Sequence, residues 1–485
     1  MLRNIRISNY KEKGTAMARM DRYKDDYQPA GKGKHTAEVT NSAETAKTAE
    51  STETPNMEQD APKKIPEQEE HSRGYRAEHN SDGEKPKKPK KKRKKWPIVL
   101  LIIVLLSALG FCAYEYFAPL KLNGKKNVVL YQGEKYKEKG VTSIFAKAKG
   151  KVDTQTLGDY TIIYTVGKQS ITRNVHVVDA NQLVIGLKGC ENTVVREGDP
   201  YIESGAFAID KVNGPVSSKK IKISGTVNTS KPGEYTVKYT AKAGYQTKKV
   251  IRKVTVIAKD EFDADTDGIP VLMYHYVYGK EEVPDDLSVN YILNDDFEEQ
   301  LKYLTENDYY FPSFAELRAY IDGKIALPKK SVILTFDDAQ HGFFAYGMAL
   351  LEKYKVPATS FVIGTQNGDD KVRVNANAYI QFQSHSYDMH KSGGNIGHGG
   401  VISAMSKDEI VADLTKSFKQ VGNSDAFAYP YGDYTDTALE AVEESGVLVA
   451  FTTEGGKVEV GEDYRKLPRV RVSGGNSLQS WIDSL

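Results

Sequence analysis

An apolar run that follows a dense basic cluster constrains this chain more than any other feature. Nine of the eleven positions from Lys85 to Lys95 are Lys or Arg, and the eighteen residues from Pro97 to Tyr114 carry no charge. A helix needs roughly 20 apolar residues to cross the hydrocarbon core of a bilayer. Trp96 and Tyr114 add aromatic side chains at the two ends, where membrane interfaces favour them. We therefore predict a transmembrane helix at residues 96–117, with the lipid bilayer as a partner.

The basic cluster also predicts the orientation of this helix. Positive charge beside a span stays on the cytoplasmic side, so we expect a single-pass plasma membrane protein with its N-terminus in the cytoplasm and everything beyond residue 117 outside. A nucleic-acid role is the alternative, but the cluster adjoins the span and the formal net charge is only +2, so we expect no nucleic-acid partner. Residues 1–95 are expected to form a disordered tail, since few side chains before the cluster can be buried.

The segment after the span contains an internal duplication. VDTQTLGDYTIIYT, from Val152 to Thr165, matches VNTSKPGEYTVKYT, from Val227 to Thr240. Alternating apolar residues such as Tyr160 and Ile162 predict short antiparallel strands in a small sandwich. His176 is expected to be an ordinary strand residue.

The Gly-x-Tyr signature of the duplication resembles bacterial immunoglobulin-like (Ig-like) surface domains. The resemblance implies two small all-β Ig-like sandwiches, at residues 120–180 and 183–258. We expect a passive spacer that carries the next domain away from the bilayer. Contact with wall glycan is the alternative.

From Gly268 onward, strands alternate with helices. Phe297, Leu301 and Leu304 recur at helical spacing, and apolar runs indicate buried strands. These runs are VLMYHYV, SVILT, ATSFVIG, YIQFQ, AFAY and VLVAF, and the capping boxes are Ser313 with Glu316 and Ser406 with Glu409. Repeated strand-helix units predict a parallel α/β (β/α) barrel at residues 268–485, whose reactive groups lie at the carboxyl ends of the strands.

Two constellations at predicted strand ends suit a metal. TFDD, from Thr335 to Asp338, presents adjacent carboxylates in different directions, so one can bind a metal while the other accepts a proton. SHSYDMH places His385 and His390 five residues apart, a spacing that a regular helix would separate by about 140°. A loop must therefore bring the imidazoles together. Two imidazoles and one carboxylate suit a divalent transition metal.

A third constellation is AYPYG, from Ala428 to Gly432, whose tight loop can aim a backbone N–H at an oxyanion. Each of the three also has an ordinary structural interpretation. The two aspartates can cap a helix, the histidines can lie on the surface, and the loop can be a simple turn.

In the order TFDD, His-Ser-x-x-x-His and Tyr-Pro-Tyr-Gly, this domain resembles the polysaccharide deacetylase family, carbohydrate esterase family 4. VLMYH and LPRVRV are similar to the subgroup that deacetylates poly-N-acetylglucosamine. The resemblance implies that Asp338, His385 and His390 hold a divalent metal, Zn²⁺ or alternatively Co²⁺ or Ni²⁺. It further implies Asp337 as general base and the backbone N–H of Tyr431 as oxyanion donor.

The chain departs from the common family pattern at two places. Ala428 stands where family members have Arg, and Arg469 and Arg471 stand where they have a late Leu-x-His. The usual general acid is therefore missing. We expect His275 to replace it, with His341 as the weaker candidate.

The resemblance implies metal-dependent removal of N-acetyl groups from a cell-surface glycan, with a polysaccharide as the second partner. Tyr387 and Tyr434 are expected to stack on its sugar rings. Both peptidoglycan and poly-N-acetylglucosamine fit as substrates. The alternative from another class is a non-catalytic, glycan-binding receptor or adhesin.

Overall fold

The computed structural model describes residues 96–485, so the predicted disordered tail and basic cluster lie outside the described residues. Helix α1 spans Trp96–Phe117, and its large apolar side chains are exposed along its length. Its 22 residues are long and apolar enough to cross a membrane. The helix has the bounds that the apolar run predicts.

The first repeat folds into one four-stranded sheet in the order β1-β4-β3-β2. The strands are β1 (Asn127–Tyr131), β2 (Lys147–Lys149), β3 (Gly158–Val166) and β4 (Gln169–Val178). β3 and β4 form an antiparallel hairpin, and His176 lies in β4, as predicted. The prediction of antiparallel strands is wrong for β1, which pairs with β4 in parallel because the chain crosses from β1 to the opposite edge before β2.

The second repeat has two sheets, in the orders β6-β11-β10-β9 and β5-β7-β8, around a core that includes Val237, Tyr239 and Val254. The strands are β5 (Leu183–Leu187), β6 (Asn192–Arg196), β7 (Ala206–Asp210), β8 (Gly214–Pro215), β9 (Lys222–Ser224), β10 (Gly233–Ala243) and β11 (Gln246–Ile257). The predicted sandwich is thus present here, although β6 pairs with β11 in parallel and not antiparallel as predicted. The described part of the first repeat has one sheet and no second sheet. Only an isolated bridge between Leu122 and Val141 occurs outside that sheet.

Equivalent glycines reveal the duplication in three dimensions. A Cβ on Gly150 would lie 2.0 Å from the carbonyl oxygen of Thr161, and a Cβ on Gly225 would lie 2.2 Å from that of Thr236. Both glycines have positive φ, so no other residue fits either position without strain. In both repeats, therefore, the backbone at the glycine packs closely against the backbone at the equivalent threonine of the neighbouring strand.

The second repeat packs against the barrel that follows it. Ile209 and Phe207 join an apolar cluster of barrel residues, and Lys188 forms an ion pair with Asp425 at 2.5 Å. The backbone N–H of Cys190 donates to the carbonyl oxygen of Phe311 at 3.1 Å. Gly189 of the repeat also lines a cavity with Pro357 and Tyr379, which directly precede the barrel strands that begin at Ala358 and Ile380. The repeat therefore covers the end of the barrel opposite the carboxyl ends of its strands.

The C-terminal part contains nine strands and a set of short helices. The strands are β12 (Val271–Tyr274), β13 (Tyr276–Tyr278), β14 (Tyr291–Leu293), β15 (Ile333–Phe336), β16 (Ala358–Val362), β17 (Ile380–Ser384), β18 (Ala426–Ala428), β19 (Val449–Gly455) and β20 (Leu467–Arg471). The helices are α2 (Asn294–Glu306), α3 (Phe314–Ile321), α4 (Met348–Tyr354), α5 (Gly368–Val374), α6 (Lys407–Val421), α7 (Asp436–Glu444) and α8 (Leu478–Ile482).

Seven of these strands close a parallel barrel in the order β12-β15-β16-β17-β18-β19-β20. The predicted barrel is confirmed. Six of its strands come from the apolar runs of the sequence, because parallel strands are covered on both faces, and the seventh, β20, comes from LPRVRV, which was not predicted as a strand. Both predicted capping boxes are formed, at Ser313 and Ser406. Pairing of β20 with β12 closes the barrel, and β12 pairs on its other side with β15, the strand that leads into TFDD.

Candidate active site

The carboxyl ends of β15 and β17 bring three potential metal ligands together. Nε2 of His385 and Nε2 of His390 lie 3.4 and 3.3 Å from the same oxygen, Oδ1 of Asp338. One ligand atom from each of the three residues lies within 4.8 Å of the others. The loop after β17 overcomes the angular separation of the histidines, because Ser386 takes a left-handed φ of 71°. The geometry therefore suits one shared cation.

Hydrogen bonds to the atoms that face away from the shared point orient the side chains of this cluster. Nδ1 of His385 lies 2.7 Å from the carbonyl oxygen of Ala428, which can only accept, so Nδ1 carries the proton and Nε2 keeps its lone pair. The Tyr276 hydroxyl donates to Oδ2 of Asp338 at 3.2 Å, which leaves Oδ1 facing the imidazoles. The cluster is thus prearranged for a metal.

The loop between the two histidines is held by a carboxylate of α6. Oδ1 and Oδ2 of Asp413 accept from the backbone N–H groups of Tyr387 and Asp388 at 2.6 and 2.8 Å. Burial raises the pKa of Asp413, and these two hydrogen bonds oppose the rise. Asp413 therefore fixes the loop on which both imidazoles depend.

Asp337 is buried beside this cluster and paired with Arg469. Two guanidinium nitrogens of Arg469 donate to the two carboxylate oxygens at 2.8 and 2.7 Å, while a third donates to the carbonyl oxygen of Thr452. Burial alone raises the pKa of Asp337, but the charge and hydrogen bonds of Arg469 outweigh it and hold the pKa below its ordinary value. Asp337 is therefore kept ionised.

His275 follows β12 and lies within the electrostatic reach of both aspartates. Burial lowers the pKa of His275, and the negative charges of Asp337 and Asp338 oppose that fall. Its Nδ1 is buried and, within the described part of the chain, has no hydrogen-bond partner. The role of His275 as general acid stays a prediction.

Tyr431 lies in the turn Pro430–Gly432 after β18, with a left-handed φ of 62°. Its ring packs on His390 at 4.6 Å between centroids. Asp433, two residues later, accepts from the backbone N–H groups of His398 and Gly400 and so ties a glycine-rich loop to the same turn. Tyr431 therefore lies beside the cluster, and the role of its backbone N–H as oxyanion donor stays a prediction.

The other predicted residues have different neighbours. Lys416 places its ammonium 3.4 Å from the ring centroid of Tyr387, and the Tyr434 hydroxyl donates to Glu454 at 3.1 Å. Stacking of Tyr387 and Tyr434 on sugar stays a prediction. His341, the weaker general-acid candidate, lies three positions after Asp338, at the start of a helical turn.

Several residues of the site were not expected from the sequence. They are Arg469, Tyr276, Asp413 and Lys371, whose ammonium donates to the backbone oxygen of Asp338 at 3.4 Å. Burial lowers the pKa of Lys371 to about 8. Among these four, only Arg469 had drawn notice in the sequence, because it stands in LPRVRV where family members have a late Leu-x-His.

Strained backbone marks the same place. Four of the non-glycine residues with positive φ belong to the loops around the cluster, namely Asp338, Ala339, Ser386 and Tyr431. Left-handed backbone at such residues costs about 1–3 kcal/mol each and persists where surrounding contacts enforce it. The contacts around the cluster therefore hold these four residues in a strained backbone conformation.

Family comparisons agree with this geometry. Residues 324–450 match the family model described as Polysaccharide deacetylase. Residues 120–177 and 185–256 match the one described as Bacterial surface protein, Ig-like domain. The first range contains TFDD, both histidines and all of AYPYG.

Individual relatives are N-deacetylases by name. The poly-beta-1,6-N-acetyl-D-glucosamine N-deacetylase of Staphylococcus epidermidis is 28% identical over 231 residues, or 42% of this chain and 78% of that protein. The protein of the same name from Staphylococcus aureus strain MRSA252 is 28% identical over 194 residues, or 36% of this chain. That match spans 66% of the S. aureus protein, slightly under two thirds of its length.

Two solved structures overlap the C-terminal part. The Streptococcus pyogenes deacetylase PplD in complex with acetate is 26% identical, with a TM-score of 0.39, and the match covers 45% of this chain and 99% of that one. IcaB from Ammonifex degensii is also 26% identical, with a TM-score of 0.37, and the match covers 45% of this chain and 96% of that one. The family matches and the curated relatives support an enzyme. Residues 324–450 thus match a polysaccharide deacetylase domain, and they follow two segments that match bacterial Ig-like domains.

Proposed function

We propose that this protein removes N-acetyl groups from an N-acetylglucosamine polysaccharide outside the membrane, in a reaction that requires a divalent metal. The observation that carries the proposal is the convergence of Asp338, His385 and His390 beside a second buried carboxylate, Asp337. The names of the staphylococcal relatives support the substrate class. Peptidoglycan and poly-N-acetylglucosamine are both candidates.

The three ligand residues fit a divalent transition metal. One carboxylate oxygen and two imidazole nitrogens form an open donor set that suits Zn²⁺, with Co²⁺ or Ni²⁺ as alternatives. The hydrogen bonds from Tyr276 and to Ala428 leave Oδ1 of Asp338 and Nε2 of His385 facing the same point. When bound, such an ion would act as a Lewis acid toward the acetamide carbonyl and lower the pKa of water.

The remaining residues then divide the proton transfers. Asp337, held ionised by Arg469, accepts a proton from the attacking water. The backbone N–H of Tyr431 donates to the carbonyl oxygen as negative charge develops on it. His275 donates a proton to the nitrogen as the C–N bond breaks. Water and the acetamide group thus give acetate and a glucosamine unit, with no further reactant.

Helix α1 supplies the membrane anchor in this proposal, with residues 1–95 in the cytoplasm and the catalytic domain outside. The two Ig-like repeats act as the spacer. Reporter fusions at residue 95 and residue 120 test the orientation, because an export-dependent phosphatase should be active only in the second fusion. Activity of the first fusion alone would reverse the topology.

Acetate release tests the activity. The full-length chain in detergent, supplied with Zn²⁺, should release acetate from poly-N-acetylglucosamine or from peptidoglycan, and the better polymer identifies the substrate. Asp337→Asn should lose turnover and keep its metal. Binding of glycan without acetate release from either polymer would favour the adhesin alternative.

A further inference from the structure

The short ladder of β13 and β14 carries three tyrosines on one face. Tyr276 and Tyr278 are two positions apart and so point to the same side of β13. Tyr291 is the register partner of Tyr276 across the parallel ladder. The alternate positions, Val277 and Ile292, are buried on the other side. We name the three tyrosines the tyrosine ledge.

The rings of the tyrosine ledge are close together and half-buried. The ring of Tyr276 lies 4.5 Å from that of Tyr291, and the ring of Tyr278 lies 6.4 Å from that of Tyr291. A core residue in their place would be buried, as the neighbouring Val277 is. The ledge therefore presents a continuous aromatic surface with partial access to solvent.

One tyrosine joins the ledge directly to the candidate metal site. The Tyr276 hydroxyl donates to Oδ2 of Asp338 at 3.2 Å, so the ledge begins where the ligand cluster ends. A chain of sugars with one N-acetyl group at the metal must place its neighbouring unit within a few ångström of this cluster. The tyrosine ledge lies next to the ligand cluster, where such a neighbouring sugar unit could bind.

Polar groups border the aromatic surface. Arg471 donates to the side-chain oxygen of Asn290 at 3.0 Å, and the Tyr291 hydroxyl donates to Asp286 at 3.0 Å. An aromatic floor with a few fixed polar groups is the usual composition of a site for a small polar ligand. Sugar rings offer apolar C–H faces to the aromatic rings and hydroxyl groups to the polar rim.

We propose that the tyrosine ledge is a sugar-binding subsite for the unit next to the one that loses its acetyl group. The ligand is a neutral N-acetylhexosamine unit of the polymer. This inference rests on the proposed function for its place in the reaction, but the binding of sugar by the ledge can be measured without turnover.

Binding to the metal-free, full-length chain in detergent tests the ledge. The probe is the N-acetylglucosamine pentasaccharide, titrated by calorimetry after chelator treatment. Tyr278→Ala and Tyr291→Ala should each raise Kd about fivefold to tenfold, because each removes one aromatic contact. Tyr291→Phe should stay within about twofold, since it keeps the ring and loses only the hydroxyl contact with Asp286.

Tyr245→Ala is the matched control, because Tyr245 is 67% exposed on the second Ig-like repeat and should leave Kd unchanged. Thermal unfolding of each variant confirms the fold, and Tyr278→Leu and Tyr291→Leu replace any alanine variant that unfolds. In the zinc-loaded enzyme, the ledge variants should raise KM by more than they lower kcat.

The outcomes separate the ledge from the activity. If pentasaccharide binding depends on the tyrosine ledge but the chain releases no acetate, the proposed deacetylase activity is wrong and the proposed subsite is supported. Wild-type binding and KM in both ring-deleted variants would overturn the subsite and leave the activity standing. Failure of the wild-type chain to bind the pentasaccharide would also overturn the subsite.

Discussion

Arg469 binds both carboxylate oxygens of Asp337 although 132 positions separate the two residues in the chain. The pair is buried, and it forms because β20 closes the barrel against β12. The guanidinium comes from β20, whose sequence LPRVR occupies the position of the late Leu-x-His of family members. A position that first counted as a departure from the family pattern therefore supplies the partner of the proposed base.

Replacing Arg469 by Met should lower acetate release by about 10²-fold or more, because general-base catalysis contributes on this scale. The unpaired buried carboxyl would take up a proton and lose its capacity to accept one from water. Acetate release and zinc content, measured together, check this. Zinc content should be unchanged, since Arg469 does not contact the ligand atoms of the metal cluster.

Arg465→Met is the matched control for this variant. Arg465 pairs with Asp463 and Glu443 on the outside of the barrel, so turnover should stay near the wild-type value. Full activity of Arg469→Met would contradict the role given to the buried pair.

Asp413→Ala should weaken zinc binding by about 10- to 100-fold, the range typical of residues that orient metal ligands. The change removes the acceptors that hold the backbone of Tyr387 and Asp388 between the two histidines. Competition with a chromophoric chelator measures the affinity. Asp408→Ala, an exposed residue of the same helix, is the control. Equal zinc affinity in both variants would show that the loop does not need Asp413.

Ile209→Ala should destabilise the barrel as well as the second repeat. Ile209 is 3% exposed and belongs to an apolar cluster made mostly of barrel residues, so the cavity should cost about 2–5 kcal/mol. Hydrogen exchange of barrel amides reports the change in the free energy of unfolding. Ile162→Ala, at a 5% exposed residue of the first repeat, should affect that repeat alone. Unchanged protection of the barrel in Ile209→Ala would mean that the domains are energetically independent.

Glu138 should make the first repeat sensitive to acid. Burial raises its pKa, but hydrogen bonds from Tyr136 and Gly140, together with Arg173, lower the pKa below its ordinary value of 4.5. A depressed pKa contributes stability that is present above 4.5 and is lost as the pH falls through the lower, folded value.

Hydrogen exchange of β3 and β4 between pH 6 and pH 3 measures this effect, with Glu138→Gln as the comparison. The wild-type repeat should lose protection as the pH falls, and the variant should show less protection at pH 6 and a flatter dependence on pH. The same slope in both proteins would assign the acid sensitivity to other groups.

Sequence patterns predicted the parts of the site that depend on strand ends. TFDD, His385 with His390, and Tyr431 follow three buried strands, and parallel strands bring their carboxyl ends to one rim. The helix at residues 96–117 and the two repeats could also be predicted from the sequence. The length and charge of the apolar run indicate the helix, and the duplicated sequence indicates the repeats.

The remaining site residues depend on contacts that no local pattern encodes. Arg469 reaches Asp337 only through closure of the barrel, and Asp413 reaches the histidine loop from the side of a helix. Tyr276 meets Asp338 because β12 ends at Tyr274 and a separate short strand begins, where the sequence had indicated one continuous strand. The parallel pairing of β1 with β4 was missed for the same reason, since the crossing of a loop leaves no periodic signal.

Titration of the chelator-treated, full-length chain with Zn²⁺ tests the central claim most directly. Acetate release from the preferred N-acetylglucosamine polymer should rise in proportion to zinc, level off at about one ion per chain, and stay at background in Asp338→Ala, because the proposed ligand cluster holds a single ion. Acetate release that is the same with and without zinc, or that survives in Asp338→Ala, would contradict the account.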